Sequence, residues 1–142
     1  MEEAVRREQP DAVFHLGDVE GDAEELGRRF PGLVIYNVAG NCDFLPMAPR
    51  RIVTELGGVR FFLAHGHEHG VKYGYEKFVN TAMTAGADVA LFGHTHRAVC
   101  FEADGMIVAN PGSAAGAGGP YGIVTIRDGK AVYEQKTLEE KD

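Results

Sequence analysis

Apolar and polar residues follow two different patterns along this chain, and the change divides the sequence into two parts. In the first part, helical patterns alternate with short apolar runs that have the length of buried strands. In the last third, short strands follow one another across turns such as Asp104-Gly105 and Asp128-Gly129, which favour hairpins. Helices that alternate with strands, followed by hairpins, predict an α/β domain with a mixed sheet.

The same periodicity places the individual elements. Helices are predicted over Met1–Gln9, Asp22–Arg29 and Val71–Thr84, with Asp22 as the N-cap of the second. Strands are predicted at Val13–Leu16, Leu33–Val38, Ile52–Leu56, Val59–Ala64, Asp88–Phe92, Ala98–Ala103, Met106–Ala109, Gly122–Ile126 and Ala131–Lys136. Between the third and fourth strands, Gly57-Gly58 suits a two-residue hairpin turn.

Length and composition indicate an ordinary globular protein. The 142 residues are expected to form one domain, 1–142, and no apolar run approaches the roughly 20 residues that span a membrane. We therefore expect a cytoplasmic protein with no membrane partner. A formal net charge of −7 argues against an extended nucleic-acid surface, although metal cations could still hold a small anionic substrate. The two cysteines, Cys42 and Cys100, do not suggest a disulfide framework.

Most of the candidate ligands lie in loops that follow predicted strands. The four loops are Gly17-Asp18, Gly40-Asn41-Cys42-Asp43, His65-Gly66-His67 and Gly93-His94-Thr95-His96. Ligands of open α/β sheets collect at the carboxyl ends of strands, so these loops can share one crevice. His94 and His96 are two positions apart, so an extended backbone would direct both imidazoles to one face. Carboxylate, amide and imidazole donors suit Mn²⁺, Fe²⁺, Co²⁺, Ni²⁺ or Zn²⁺ better than a structural zinc site.

The ordered motifs GD…GNCD…HGH…GHTH, followed by Asn110-Pro111-Gly112-Ser113, resemble the calcineurin-like metallophosphoesterases. Within that superfamily they are most similar to the small bacterial and archaeal phosphodiesterases, and the resemblance runs from Pro10 to about Gln135. It implies an α/β fold of two mixed β-sheets in a sandwich flanked by helices. It also implies hydrolysis of a small phosphodiester by a hydroxide bound to two divalent cations. Mn²⁺ is the expected cation, with Ni²⁺, Co²⁺, Fe²⁺ and Zn²⁺ as alternatives.

The resemblance also implies which residues would hold the metals. Asp18 corresponds to the carboxylate that bridges both cations. Asn41, His65 and His94 would complete the coordination of one cation, and His96 would bind the other.

Other residues are implied to support catalysis. Asp43 is similar to an acid that orients catalytic groups, and His67 is placed near the substrate. Cys42 stands where the wider superfamily has a histidine that is thought to protonate the leaving group, which leaves the general acid open. The Asn110-Pro111-Gly112-Ser113 turn is expected to shape the site through its backbone.

One feature of the family is missing from this sequence. Its members normally begin with a strand that ends in Asp-x-His and supplies two ligands to the cation that His96 also binds, but no Asp-x-His occurs here. One hypothesis is that Met1 is an internal methionine and that an upstream segment has been omitted. The other is a genuine short form that is impaired or repurposed. Where that strand is absent, we expect an unpaired sheet edge, which makes a homodimer plausible.

A second function class competes with the phosphodiesterase hypothesis. The same fold serves as a protein-interaction scaffold in a retromer subunit, and loss of Asp-x-His would favour that interpretation. The retained ligand set argues against it, because an abandoned site need not keep its ligands. A structural zinc protein fits poorly, since such sites usually have closely spaced cysteine pairs.

The remaining histidines and aromatic residues are assigned structural roles. His15 lies within a predicted strand and is expected to be a core or half-buried residue whose polar atoms are satisfied. His69 is expected to be a solvated loop residue. Tyr73, Tyr75 and Phe78 are expected to pack in the core from the third helix.

Overall fold

The bounds of the helices and strands come from a computed structural model, which describes residues 2–16, 20–39, 49–95, 97–112 and 119–138. Within these residues the helices are α1 (Glu2–Glu8), α2 (Glu20–Arg29) and α3 (Glu76–Thr84), and a one-turn 3₁₀ helix covers His67–His69. The strands are β1 (Ala12–His15), β2 (Val34–Asn37), β3 (Arg51–Leu56), β4 (Val59–Ala64), β5 (Val89–Leu91), β6 (Val99–Ala103), β7 (Met106–Asn110), β8 (Pro120–Arg127) and β9 (Lys130–Thr137).

A five-stranded mixed sheet forms the centre of the described structure. Its strand order is β3-β4-β5-β7-β6. Strands β4, β5 and β7 run parallel, and β3 and β6 are antiparallel edge strands. Because β4, β5 and β7 point the same way, the loops that follow them emerge at one edge of the sheet.

Hydrophobic residues cover both faces of this sheet. Alternate residues of β4 point to opposite faces, so Phe62 belongs to one apolar cluster, whereas Phe61 and Leu63 belong to another. On the first face the sheet packs against α3 through the buried side chains of Phe78 and Ala82. Burial on both faces explains why β4 and β5 are nearly continuous apolar runs.

Two smaller sheets cover the second face. Strands β1 and β2 pair in parallel, β8 and β9 form an antiparallel hairpin, and each pair is a separate two-stranded sheet. Phe14 and Tyr36 from the first pair, and Val124 and Tyr133 from the second, pack against the cluster that contains Phe61. The result is the predicted sandwich of sheets with helices on its outside.

Two predicted helix boundaries are wrong. Helix α2 begins at Glu20, so Asp22 lies inside the helix and is not its N-cap. Helix α3 begins at Glu76 instead of Val71, because the chain first forms turns in which Gly74 has φ 149°. No helix in the described ranges is long and apolar enough to cross a membrane.

Two side chains lie in environments opposite to those predicted. His69 is buried, with 4% of its surface exposed, and packs edge-on against Phe62 and Phe78. Burial in this aromatic environment holds its pKa below the usual range, so the ring stays neutral near pH 7. Tyr73 is 95% exposed because it lies in the turns that precede α3, outside the core.

The structural roles predicted for His15, Tyr75 and Phe78 are confirmed. His15 is half-buried, and its Nδ1 lies 2.8 Å from Oδ1 of Asn37. Phe78 is fully buried, and Tyr75 packs against Phe92 with ring centroids 5.4 Å apart. His15 therefore has a structural partner in the neighbouring strand.

Candidate metal site

Two of the predicted ligands, His65 and His94, meet at the carboxyl edge of the central sheet. His65 directly follows β4, and His94 lies three residues after β5, the parallel neighbour of β4. His65 Nε2 is 3.0 Å from His94 Nδ1, and the two rings are nearly perpendicular, with centroids 4.9 Å apart. The structure thus brings together two of the side chains that the resemblance assigns to one cation, and their role as metal ligands remains a prediction.

A contact with a backbone carbonyl group determines which ring nitrogen of His65 carries the proton. Its Nδ1 lies 2.7 Å from the carbonyl oxygen of Leu16, the residue after β1. A carbonyl oxygen only accepts hydrogen bonds, so Nδ1 carries the proton and donates it. In the neutral ring, Nε2 then presents its lone pair towards His94, which is the arrangement that metal-binding histidines usually adopt.

The distance between the two nitrogens fits coordination of one cation. Imidazole nitrogens bind a divalent transition metal at about 2.0–2.1 Å, so two of them at right angles are about 3.0 Å apart. The distance between His65 Nε2 and His94 Nδ1 is 3.0 Å. Without an ion, a proton on His94 Nδ1 makes the same contact a hydrogen bond. The pair is thus suited to a divalent transition metal, which imidazole nitrogens bind well.

The turn that carries His94 approaches the first β-layer closely. The Gly93 amide donates to the His65 carbonyl oxygen over 2.9 Å. A β-carbon at Gly93 would lie 3.1 Å from the Leu16 carbonyl oxygen, which is closer than most side chains tolerate. His94 itself has φ 64°, a left-handed conformation that is uncommon outside glycine. This backbone directs its ring towards His65.

Asn110, at the end of β7, holds the same turn in place. Its side chain is fully buried, and Nδ2 donates to the Gly93 carbonyl oxygen over 2.8 Å and to Thr95 Oγ1 over 2.9 Å. Its Oδ1 accepts the Gly112 amide over 2.9 Å. Sequence analysis expected a contribution from backbone alone and missed this side chain. A polar residue that closes the apolar run of β7 was the available signal.

His67, Glu68 and Arg50 form one rim of the histidine pair. The ring centroid of His67 is 5.4 Å from that of His65 and 6.1 Å from that of His94. Arg50 Nη1 lies 3.4 Å from His67 Nε2 and 3.5 Å from a Glu68 carboxylate oxygen. The structure thus puts His67 beside the pair, and its predicted position near the substrate and its catalytic role remain predictions. Arg50 was not singled out in the sequence, because tertiary contacts bring it to the rim.

The other predicted site residues lie outside the residues that the structure describes. These are Asp18, Asn41, Cys42, Asp43 and His96. Within the described ranges, no group of three or more His, Cys, Asp or Glu side chains is placed to hold a metal ion. The described part of the site is therefore the His65–His94 pair, and the roles of the other ligands stay predictions.

An α/β sandwich that carries paired imidazoles at the carboxyl edge of its parallel strands is typical of the α/β proteins that bind metals. Comparison with protein families makes this specific: the sequence model of the calcineurin-like phosphoesterase superfamily domain matches residues 1–129. The chain belongs to this superfamily, whose members act on phosphoester bonds and typically bind divalent metals.

Two relatives illustrate the similarity in sequence. The probable metallophosphoesterase YsnB of Bacillus subtilis is 36% identical over 104 residues, which cover 72% of this chain and 59% of YsnB. A phosphodiesterase of Methanocaldococcus jannaschii is 36% identical over 66 residues, which cover 46% of this chain and 36% of the relative. The matched part of the chain thus spans less than two thirds of either relative.

Two solved structures show the similarity in fold. A conserved protein of Streptococcus pneumoniae, described as a predicted phosphoesterase, matches with a TM-score of 0.79 at 30% identity, over 96% of this chain and 80% of that one. Vps29 of Entamoeba histolytica, in complex with Zn²⁺, matches with a TM-score of 0.75 at 20% identity, over 96% of this chain and 89% of that one. At that identity, the likeness to Vps29 concerns the fold alone.

Proposed function

We propose that this chain acts as a metal-dependent phosphodiesterase that hydrolyses a P–O bond of a small phosphodiester. The observation that carries the proposal is the 3.0 Å distance between His65 Nε2 and His94 Nδ1, with the His65 proton held by Leu16. Family membership supplies the reaction class, and the similarity to the M. jannaschii phosphodiesterase favours a diester over a monoester.

The proposal places the metal ligands on four loops. His65 and His94 would hold one cation together with Asn41 and Asp18, and Asp18 would also face the second cation beside His96. Mn²⁺ is the proposed ion, with Ni²⁺, Co²⁺, Fe²⁺ and Zn²⁺ as alternatives. When bound, such cations polarise phosphoryl oxygens and lower the pKa of water, which makes hydroxide available near neutral pH.

The protein supplies geometry and a controlled protonation state. Leu16 keeps the proton of His65 on Nδ1, and Asn110 fixes the turn from which His94 projects. His65 is 2% exposed, so bulk water has little access to its ring. His67 stands at the rim, where it would orient the substrate, and Asp43 would orient catalytic groups. No step needs a covalent enzyme intermediate, because water can attack phosphorus directly.

The proposal is tested by hydrolysis of bis(p-nitrophenyl) phosphate with added Mn²⁺. We expect turnover by the wild type and a loss of at least about 100-fold in kcat/KM for His94→Ala. This exceeds the 10–100-fold typical for residues that only support a ligand. His15→Ala is the matched control, because His15 is a half-buried imidazole that contacts Asn37 and is not among the predicted ligands. Equal background rates in wild type and His94→Ala would refute the proposal. A faster rate with p-nitrophenyl phosphate would indicate a monoesterase instead.

A scaffolding function is the alternative, and metal binding separates the two. Calorimetric titration with Mn²⁺ should show two sites of similar affinity in an enzyme with a two-cation centre. A single site without turnover would favour an incomplete centre or a scaffold. The second site depends on residues such as His96, so His96→Ala should remove one of the two binding events and leave the other.

A further inference from the structure

We propose that Arg50 is the substrate-binding residue that holds the anionic phosphoryl oxygens of the phosphoester at the rim of the histidine pair. This inference rests on the proposed function and names the group that would recognise the charge of its substrate. Four observations carry it: the position of the guanidinium, its weak engagement, the orientation of His67 and the distribution of cations around the site.

The first observation is position. Arg50 immediately precedes β3, and its Nη1 lies 3.4 Å from His67 Nε2. The His67 ring is in turn 5.4 Å from the His65 ring and 6.1 Å from the His94 ring, centroid to centroid. One imidazole therefore separates the guanidinium from the two predicted metal ligands. A phosphoryl group bound at that pair would lie within reach of a long, flexible arginine side chain.

The second observation is that the contacts of Arg50 with its neighbours are weak. Its contact with the Glu68 carboxylate is 3.5 Å long, and 60% of its side chain is exposed. An ion pair at this distance and exposure contributes little to stability. The contact with His67 is also long for a hydrogen bond. Both contacts are long and involve Nη1, so the guanidinium can exchange them for hydrogen bonds to an incoming anion.

The third observation is the orientation of His67. Its Nδ1 is buried and has no hydrogen-bond partner in the structure of the described residues. The Nε2 atom faces the rim, where Arg50 lies. Arg50 and the accessible edge of His67 therefore face the same space. When Arg50 turns to a phosphoryl oxygen, His67 Nε2 is released beside the same ligand.

The fourth observation is that two of the sequence segments that follow the predicted strands lack positive charge. The chain has a formal net charge of −7, and neither residues 40–49 nor residues 110–126 contain a lysine or arginine. An anionic substrate therefore meets few fixed cations in the loops that follow the strands. A planar guanidinium matches two phosphoryl oxygens at once, which a lysine cannot do. Arg97, beside the His94 turn, is one competing cation, so it belongs in the test.

The kinetic test compares Arg50 with its neighbour Arg51. Arg51 lines a different groove, beside Asn80 and Thr81 of α3, and Arg51→Gln removes the same charge. With bis(p-nitrophenyl) phosphate and Mn²⁺, Arg50→Gln should raise KM about tenfold or more, as expected for a charge-assisted contact, and change kcat less than about twofold. Arg50→Lys should recover part of the affinity, because it restores charge without the two-point geometry. Arg51→Gln and Arg97→Gln should keep the wild-type KM.

A binding measurement tests whether Arg50 holds a phosphoryl group, independently of turnover. Inorganic phosphate titrated calorimetrically into Mn²⁺-incubated protein should bind about tenfold more weakly to Arg50→Gln than to the wild type or Arg51→Gln. Thermal unfolding of each variant shows whether it is folded, and Arg50→Lys takes the place of Arg50→Gln if that variant is not. If the wild type binds phosphate through Arg50 but hydrolyses nothing, the proposed function fails and this inference stands. Equal phosphate affinity in wild type and the Arg50 variant, no binding by the wild type, or an equal loss in Arg51→Gln would overturn the inference.

Discussion

His65 donates its Nδ1 proton to the carbonyl oxygen of Leu16 over 2.7 Å, across 49 positions of sequence. The contact joins the end of β4 in the central sheet to the end of β1 in the layer above it. It therefore couples the packing of two sheets to the protonation of a predicted metal ligand. Changes that move these layers apart should affect metal binding even where no ligand is altered.

Gly93→Ala tests this coupling directly. The added β-carbon would lie 3.1 Å from the Leu16 carbonyl oxygen and 3.6 Å from His65 Nδ1. Since backbone must shift to make room, we expect a loss of about 1–3 kcal/mol in the free energy of unfolding. Disturbing the partner of His65 should also weaken Mn²⁺ binding by about tenfold. Urea denaturation measures the first effect and calorimetry the second.

Gly32→Ala is the control for that experiment, because a β-carbon at Gly32 meets nothing within 4 Å. It should leave both the unfolding midpoint and Mn²⁺ affinity near their wild-type values. An unchanged Mn²⁺ affinity in Gly93→Ala, alongside a measured loss of stability, would mean that the Leu16 contact does not prepare His65 for a metal.

Asn110→Ala should destabilise the turn that carries His94. The substitution leaves the Gly112 amide without the side-chain oxygen that accepts its proton, and the Gly93 carbonyl oxygen keeps only its hydrogen bond from the Thr95 amide. Each unsatisfied buried group costs about 1–3 kcal/mol, so we expect the free energy of unfolding to fall by at least about 1 kcal/mol. Asn80→Ala makes the same change at an exposed position of α3 and should cost far less. Comparable urea midpoints for the two variants would contradict the role assigned to Asn110.

The strands and the shared sheet edge of the loops that carry His65 and His94 could be predicted, because both depend on short-range patterns. Alternating and continuous apolar runs identify β3 and β4, and Gly57-Gly58 marks the turn between them. A histidine directly after an apolar strand, repeated at a second strand, then indicates one shared edge. These inferences need only the period of a strand and the topology of parallel sheets.

The prediction that His69 is solvated is wrong, because long-range packing buries its side chain. The sequence around it is polar and rich in glycine, which is typical of an exposed loop. The 3₁₀ turn begins after Gly66, whose φ of 110° reverses the chain and brings His69 against Phe78. No local pattern reveals that contact. The same reason applies to Arg50, since only the folded chain brings it to within 3.4 Å of His67.

Glu8 should make stability depend on pH in the acid range. Its carboxylate accepts hydrogen bonds from the Tyr121 hydroxyl over 2.7 Å and from Lys136 Nζ over 3.1 Å, which joins α1 to the β8–β9 hairpin. These contacts, chiefly the one from Tyr121, hold the pKa of Glu8 below its usual value. A carboxyl whose folded pKa is lowered contributes stability above its unfolded pKa and loses it as pH falls through the folded pKa.

Glu8→Gln should therefore lower the urea midpoint at pH 7 and have a smaller effect at pH 3, because the wild-type carboxyl becomes protonated as the pH falls through its folded pKa. Glu3→Gln removes a carboxylate from an exposed position of the same helix and should change neither midpoint appreciably. A Glu8→Gln effect of equal size at both pH values would show that shape, and not charge, accounts for the contribution of this side chain.

Glu68→Gln should strengthen substrate binding, since the Glu68 carboxylate competes with an anionic substrate for the Arg50 guanidinium. The two side chains are 3.5 Å apart, and 60% of the Arg50 side chain is exposed, so the competing contact is worth about 0.2–1 kcal/mol. Removing it should lower KM for bis(p-nitrophenyl) phosphate by up to about fivefold without changing kcat.

Glu55→Gln removes the same charge at the far end of β3, where Glu55 pairs with Arg60, and should leave KM unchanged. In the double variant Glu68→Gln/Arg50→Gln the gain should disappear, because its physical cause is the release of Arg50. If the gain persists in that double variant, general repulsion by the carboxylate explains it, and the competition between Glu68 and substrate for one guanidinium is excluded.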